Sequence, residues 1–283
     1  METLSASEIR KLAEALDLKP SKSLGQNFVV DGNTCRKIVR LADLESDDVV
    51  LEVGPGLGSL TIVLLASAKH VVAVEIDKRL ANQLPLTIAT HDSALAKTLT
   101  VINGDALNVS RINPAPTALV ANLPYNVSVP VILHIMESFP TIERGIVMVQ
   151  AEVADRLAAP PGSKVYGVPS VKLKWWADSH IASQISREVF WPVPRVDSSL
   201  LAFTRRACKE TDDESLRLRT FAVIDSAFAQ RRKMLRSSLG AFLGNSESAS
   251  EYLNSVGIDP TSRAENLTLN DFIAIARGIS LAS

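Results

Sequence analysis

DVVLEVGPGLGSLT, residues 48–61, decides the fold. Val49, Val50, Leu51 and Val53 make a branched apolar run interrupted only by Glu52, the pattern of a strand buried on both faces. Three glycines follow at 54, 56 and 58 and open the next helix. Glycine permits backbone torsions and a close ligand approach that a Cβ would forbid, so this strand-to-helix turn points to a nucleotide-like ligand over the strand end.

Working outward, HVVAVEI (70–76), LTVING (99–104), TALVAN (117–122) and GIVMVQ (145–150) repeat the apolar run between helical patterns. That alternation predicts a parallel sheet with helices on both faces. HIASQISREVFW (180–191) and SSLLAFTRR (198–206) are strand-like, and the proline-rich WPVPRVD between them suggests an antiparallel pair at one end of the sheet. From about Thr211 onward the pattern is helical alone, in ESLRLRTFAVIDSAFA, MLRSSLGAFLG and DFIAIARGI. The expectation is an α/β catalytic domain over 1–208 and a smaller all-α domain over 209–283, with the boundary in the polar RRACKETDDE.

With 283 residues, 46% hydrophobic and 22% charged, the chain has the composition of a folded protein of two domains rather than a disordered one. Cys35 and Cys208 lie far apart and outside any CxxC pattern, which argues against a zinc site or a disulfide framework and suits a reducing cytoplasm. His70, His91, His134 and His180 share no ligand spacing, so no metal is expected. No segment reads as a signal peptide or a membrane span. The net charge of -1 conceals an asymmetry: residues 144–240 hold 16 Lys plus Arg against 10 Asp plus Glu, while the remainder holds 14 against 21. A basic middle is what a phosphate-facing surface requires, although charge clustering on a solvated face is the plainer alternative.

The glycine loop reads GxGxG with a proline inside it, neither the GxGxxG dinucleotide fingerprint nor a P-loop. Glu75 ends the second strand 21 positions after Gly54, where a carboxylate can accept both hydroxyl protons of a ribose diol. Asp105, after the third strand, could accept from an adenine amine, or merely cap a helix. Together they suggest an adenosine site. Glu52 beside the glycines suits a cationic ligand better than a diphosphate, which favours S-adenosylmethionine over NAD.

The fourth strand ends in VANLPY, residues 120–125. The Asn122 amide oxygen and the Leu123 backbone carbonyl can both accept hydrogen bonds from one exocyclic amine. Pro124 biases Leu123 towards an extended conformation, and Tyr125 offers a ring on which a base can stack. Two acceptors on an adenine amine favour the pyramidal nitrogen that attack on a methyl group requires. Taken alone, NLPY could equally be a strand exit with a proline turn.

These segments, with SLGQNFVVD (23–31), QAEVADRL (150–157), FWPVPRVDSS (190–199), FAQRRKMLRSSL (228–239) and GIDPTSRAENL (257–267), resemble the ribosomal RNA adenine N6,N6-dimethyltransferases, the KsgA family. The last two lie in the helical region and are similar to the KsgA branch in particular. The resemblance implies the fold of class I S-adenosylmethionine-dependent methyltransferases: a Rossmann-like, doubly wound, mostly parallel sheet with an antiparallel end strand, plus an all-α C-terminal domain. It implies cofactor contacts at Asn27, Val29, Gly54, Glu75, Asp105 and Asn122, and catalysis by Asn122, Leu123, Pro124 and Tyr125, with Phe190 facing the target base across from the tyrosine. It further implies RNA contact through Arg231, Arg232, Lys233 and Arg236, aided by Lys164, Lys172, Lys174, Arg195, Arg205 and Arg206 on elements leading to them. The implied substrate is two adjacent adenosines near the 3' end of 16S rRNA in the small ribosomal subunit, and the expected state is a monomer. The sequence departs from the family at Val29, Ala151 and Val168, commonly leucine, lysine and arginine. Two alternatives stay open: an adenine methyltransferase of another nucleic acid, such as 23S rRNA or DNA, or mainly a ribosome-assembly factor.

Overall fold

The computed structural model of the chain describes residues 3–18, 27–207 and 213–279. Helix α1 (Ala6–Ala15) starts at a reciprocal cap in which the Ser5 hydroxyl accepts from the Glu8 N–H and Glu8 accepts from the Ser5 N–H. Strand β1 (Phe28–Val29) and helix α2 (Gly32–Ala42) follow, the latter capped by Asp31. The glycine-loop unit comes next: β2 (Val49–Val53), α3 (Thr61–Leu65), β3 (His70–Glu75), α4 (Lys78–His91) and β4 (Leu99–Asn103). Then come β5 (Ala118–Asn122), α5 (Ser128–Ser138) and β6 (Arg144–Gln150).

The chain continues through α6 (Ala151–Leu157), α7 (Val168–Trp176), β7 (Ala177–Ile185), β8 (Phe190–Trp191) and β9 (Ser198–Arg205). It closes with α8 (Glu214–Ala229), α9 (Leu235–Ser238), α10 (Ser246–Ser255) and α11 (Leu269–Arg277). None of the described helices is long and apolar enough to cross a membrane.

Seven strands form one sheet in the order β4-β3-β2-β5-β6-β9-β7. The five apolar runs are β2 to β6, all parallel to one another, and β9 joins β6 antiparallel. The mostly parallel, doubly wound sheet read from the sequence is therefore present. Every residue of β2 is buried, because helices cover both faces of a parallel sheet and leave no wet side. The run 180–191 departs from its reading as one strand. Its first part belongs to β7, the chain then turns through 187–189, and Phe190–Trp191 pairs antiparallel with β1 in a separate two-stranded sheet.

By internal packing the chain divides into two units, 1–154 with 180–205, and 155–179 with 206–283. This division departs from the 1–208 and 209–283 expectation: residues 155–179 cluster with the C-terminal helices. Aromatic packing is the reason. Trp175 and Trp176 of α7 meet Phe221 of α8 edge-on at 6.0 and 5.4 Å, and the Tyr166 hydroxyl donates to the Leu267 carbonyl. Of the boundary segment RRACKETDDE, residues 208–212 lie outside the described residues, as does Cys208. Cys35 is a free buried thiol.

Arg205, one of the basic residues expected to lead towards RNA, is spent inside the first unit. Its guanidinium donates to the carbonyls of Met136, Phe139 and Ile142, satisfying acceptors that the end of α5 leaves open. In the sheet, Gly145 lies where β6 passes β5. A Cβ there would come within 2.5 Å of the Leu119 carbonyl oxygen and collide with the Phe203 ring. We expect Gly145→Ala to cost about 1 to 3 kcal/mol of stability through overpacking, read as a lowered midpoint in urea unfolding; an unchanged midpoint would show that the sheet yields.

Candidate active site

Because β2, β3, β4 and β5 are parallel, their carboxyl ends and the loops after them gather at one edge of the sheet. The strand order reverses between β2 and β5: β3 and β4 lie to one side, β6 to the other. Such a reversal leaves a crevice for ligands. A cleft of about 970 Å³, measured out to its open mouth, lies there. Asn27, Val29, Gly54, Glu75, Asp105 and Asn122 all line it, as do Leu123, Pro124 and Tyr125. Those nine expected residues come from five separate chain segments and meet in one place.

The glycine loop is shaped by backbone torsion and by close packing. Gly54 has φ +71° and Gly56 φ +58°, the left-handed region that L side chains avoid, and a Cβ on Gly56 would lie 2.9 Å from the Phe28 ring. The Gly56 N–H donates to Glu75 Oε2 at 3.1 Å, and the Asp77 N–H donates to Oε1 at 2.9 Å. Glu75 is thus fixed at both oxygens, each with a lone pair left for a ligand hydroxyl. Burial pushes its carboxyl above the usual carboxylate range. Asp105 also caps a short 3-10 turn by accepting from the Leu107 N–H at 3.0 Å.

Glu52 is different. It is 1% exposed, and its Oε2 is a buried oxygen with no hydrogen-bond partner. Desolvation, with nearby Glu75 adding to it, pushes its carboxyl up to about 8.

At the end of β5 the Asn122 amide nitrogen donates to the Asn27 carbonyl at 3.0 Å. That bond fixes which end of the amide is which, and it leaves Oδ1 as a buried acceptor with no partner. The Leu123 N–H donates to the Met148 carbonyl at 3.0 Å, so the residue after Asn122 is still pinned to β6. The Tyr125 hydroxyl is 2.6 Å from Ser198 Oγ, at the start of β9. Burial raises its phenol above the ordinary tyrosine value.

Phe190 is placed otherwise than expected. It is 2% exposed and belongs to the core cluster with Val120, Met148 and Leu200, off the cleft wall. As the ladder partner of Val29 it turns its ring into the core, while the next residue, Trp191, stacks on Phe28 at 6.1 Å.

In the helical unit the basic cluster splits. Arg232, Lys233 and Arg236 are exposed. Arg231 instead donates to Glu265 Oε2 at 2.9 Å and to the Lys164 carbonyl at 2.6 Å, so its charge is already engaged. Lys164 itself is exposed. Lys172 pairs with Asp225, Lys174 with Asp178, and Arg206 donates to the Lys174 carbonyl.

The cleft fits S-adenosylmethionine on its own chemistry: an uncompensated acidic wall for a cation, a loop that only glycine can form, and an unpartnered acceptor where an amine would present its hydrogens. Phe28, Ile76 and Ser198 were not singled out from the sequence. Phe28 and Ile76 line the cleft, Ile76 with 54% of its surface exposed, and Ser198 holds Tyr125. Their spacing carries no signal, since each becomes meaningful only through a neighbour that the fold brings to it.

Comparison with known proteins agrees with this geometry. Residues 18–280 match the family described as "Ribosomal RNA adenine dimethylase". The chain is 54% identical over 274 residues to "Ribosomal RNA small subunit methyltransferase A" of Thermobifida fusca, covering 96% of this chain and 95% of that one. It is 55% identical over 273 residues to the protein of the same name from Leifsonia xyli, covering 96% and 97%. Among solved structures, a dimethyladenosine transferase from Plasmodium falciparum superposes with a TM-score of 0.75 over 87% of this chain and 94% of that one, at 23% identity, a likeness of fold. The 23S rRNA methyltransferase ErmE gives 0.66 over 88% and 98%, at 26% identity. With the sheet, the cleft and the family match in agreement, the chain belongs to the ribosomal RNA adenine dimethylases.

Proposed function

We propose that this chain dimethylates the N6 nitrogens of two adjacent adenosines near the 3' end of 16S rRNA in the small ribosomal subunit, acting in the cytoplasm as a monomer. The single observation that carries the chemistry is the orphaned Asn122 Oδ1 at the end of β5, oriented by the bond from its own amide nitrogen to Asn27. The choice of 16S over 23S rRNA rests on relatives: those named for the small subunit are 54 and 55% identical, against 26% for ErmE.

In this reading Asn27, Val29, Gly54, Glu75 and Asp105 hold S-adenosylmethionine, with Glu75 accepting from the ribose hydroxyls and Asp105 from the adenine amine. When bound, the cofactor supplies an electrophilic methyl carbon on a sulfonium. The chain's own residues prepare the nucleophile. Asn122 Oδ1 and the Leu123 carbonyl accept the two hydrogens of the target amine, which draws its lone pair out of conjugation with the ring and into line for attack. Because Asn122 cannot rotate without losing its bond to Asn27, this acceptor is in place before the amine arrives, and no reorganisation is needed at the moment of reaction. Pro124 keeps the turn extended, and the Tyr125 ring stacks on the base that has left its helix. Phe190 enters only as support behind Val29. The amine sheds its proton after attack, so no residue need act first as a base.

Arg232, Lys233 and Arg236 are the phosphate-binding residues in this proposal. Such cations position RNA without reading its sequence, so recognition falls to the folded shape of the subunit.

Three outcomes test the proposal. Asn122→Ala, incubated with unmethylated small subunits and methyl-labelled cofactor, is expected to lose about 10²- to 10³-fold in transfer rate while still binding the subunit; retained transfer would end the amine-acceptor mechanism. Replacing Arg232 and Lys233 by alanine is expected to lower the slope of log affinity against log salt by about one unit for each phosphate no longer neutralised. Arg231→Ala should instead lower the unfolding temperature and leave that slope alone; a reduced slope would return Arg231 to the residues that bind RNA.

A further inference from the structure

The cleft has a charge imbalance that methyl transfer alone does not require. Among the described residues, Glu52, Glu75 and Asp105 line it, and no Lys, Arg or His does. Glu75 and Asp105 each accept from backbone N–H groups. Glu52 keeps a buried oxygen with no partner.

Among the described residues, the surroundings of Glu52 offer no compensating charge. Glu75 faces it from β3 and is itself an acid. From α2 comes the Cys35 thiol, pushed up to about 12 by burial, with Glu52 and then Asp31 adding to the shift. Arg36, further along α2, lies on the exposed side and donates to Asn33. Thr61, on α3, brings only a hydroxyl. Among the described residues, an ionised carboxylate here would find no counter-ion and at most that one hydroxyl as a donor, and the ordinary response of such a group is to keep its proton.

We propose that Glu52 is protonated in the free protein and surrenders its proton when a cationic ligand fills the cleft, which makes cofactor uptake a proton-releasing step. The inference rests on the reading of the cleft as an S-adenosylmethionine site. The Glu52 O–H bond breaks, its electron pair stays on the carboxylate, the proton passes to buffer, and the carboxylate becomes the counter-ion of the incoming charge. A neutral acid thereby spares the empty cleft a bare buried charge, and the same group supplies one on demand. Cofactor affinity should then rise with pH through neutrality, approaching about tenfold per unit below the titration of Glu52 near 8.

The test is calorimetric titration of S-adenosylmethionine into the full-length protein at about pH 6.5, where an α-amine is still protonated, in two buffers of different ionisation heat. Wild type is expected to release close to one proton per cofactor bound, and Glu52→Gln almost none. S-adenosylhomocysteine keeps the ammonium and lacks the sulfonium. Release with both ligands supports the proposal with the ammonium as the sensed charge, and release with S-adenosylmethionine alone supports it with the sulfonium. Equal heats in both buffers for wild type, or undiminished release by Glu52→Gln, would overturn it.

A ligand-free measurement separates this from failure of the cofactor reading. Since the folded-state value of Glu52, about 8, lies above its ordinary 4.5, its contribution to stability is fully present in acid and is lost as pH rises through that window. Glu52→Gln should remove that part of the decline in unfolding temperature between about pH 4.5 and 8. An unchanged decline would refute protonated Glu52 even if the cofactor binds, whereas a removed decline with no cofactor binding would leave the proton in place and sink the cofactor reading instead.

Discussion

Everything in the catalytic unit follows from the requirement that successive strands run parallel. A parallel connection must return over a face of the sheet, so each strand delivers its following loop to the same edge. When the chain has laid β3 and β4 to one side of β2 and then places β5 on the other, two neighbouring strands send their loops in opposite directions. The gap between those loops is the cleft. Gly54 and Asn122 meet there because β2 and β5 are ladder neighbours, although 68 residues separate them in the chain. The apolar runs that build the strands thus decide where the polar residues can meet.

Within that edge, satisfied and unsatisfied polar atoms are sorted by role. Glu75 is held by two backbone N–H groups, and the Asn122 nitrogen by the Asn27 carbonyl. Buried polar atoms normally find partners, since an unmade hydrogen bond costs the full desolvation of the group. Asn122 Oδ1 and Glu52 Oε2 find none. A fold that pins the rest of these side chains and leaves those two acceptors bare keeps them ready for groups the chain itself lacks.

Much of this was legible in the sequence. Branched apolar runs at β2 to β6 could be read because burial on both faces of a parallel sheet leaves no other composition. The site segments were legible because glycines, acids and NLPY each stand directly at a strand end, where local chemistry and position coincide. What the structure arranges differently depended on distant partners. Phe190 is set against the target base by the resemblance alone, and its pairing with Val29, which local sequence does not announce, places it in the core. Arg231 is indistinguishable from Arg232 in a basic run, and only the folded position of Glu265 separates them. Residues 155–179 look like a continuation of the α/β pattern until Trp175 and Trp176 meet Phe221, 45 or more residues later.

The bond between Tyr125 and Ser198 spans 73 residues and joins the end of NLPY to the start of the last strand. Ser198 has no exposed surface, so an apolar replacement would strand a phenol hydroxyl, and loss of that hydroxyl would strand the serine. Either change alone carries a penalty that both together escape. Sequence drift in these two stretches is therefore expected to proceed in step, with the pair inherited as a unit even where the residues between them diverge freely.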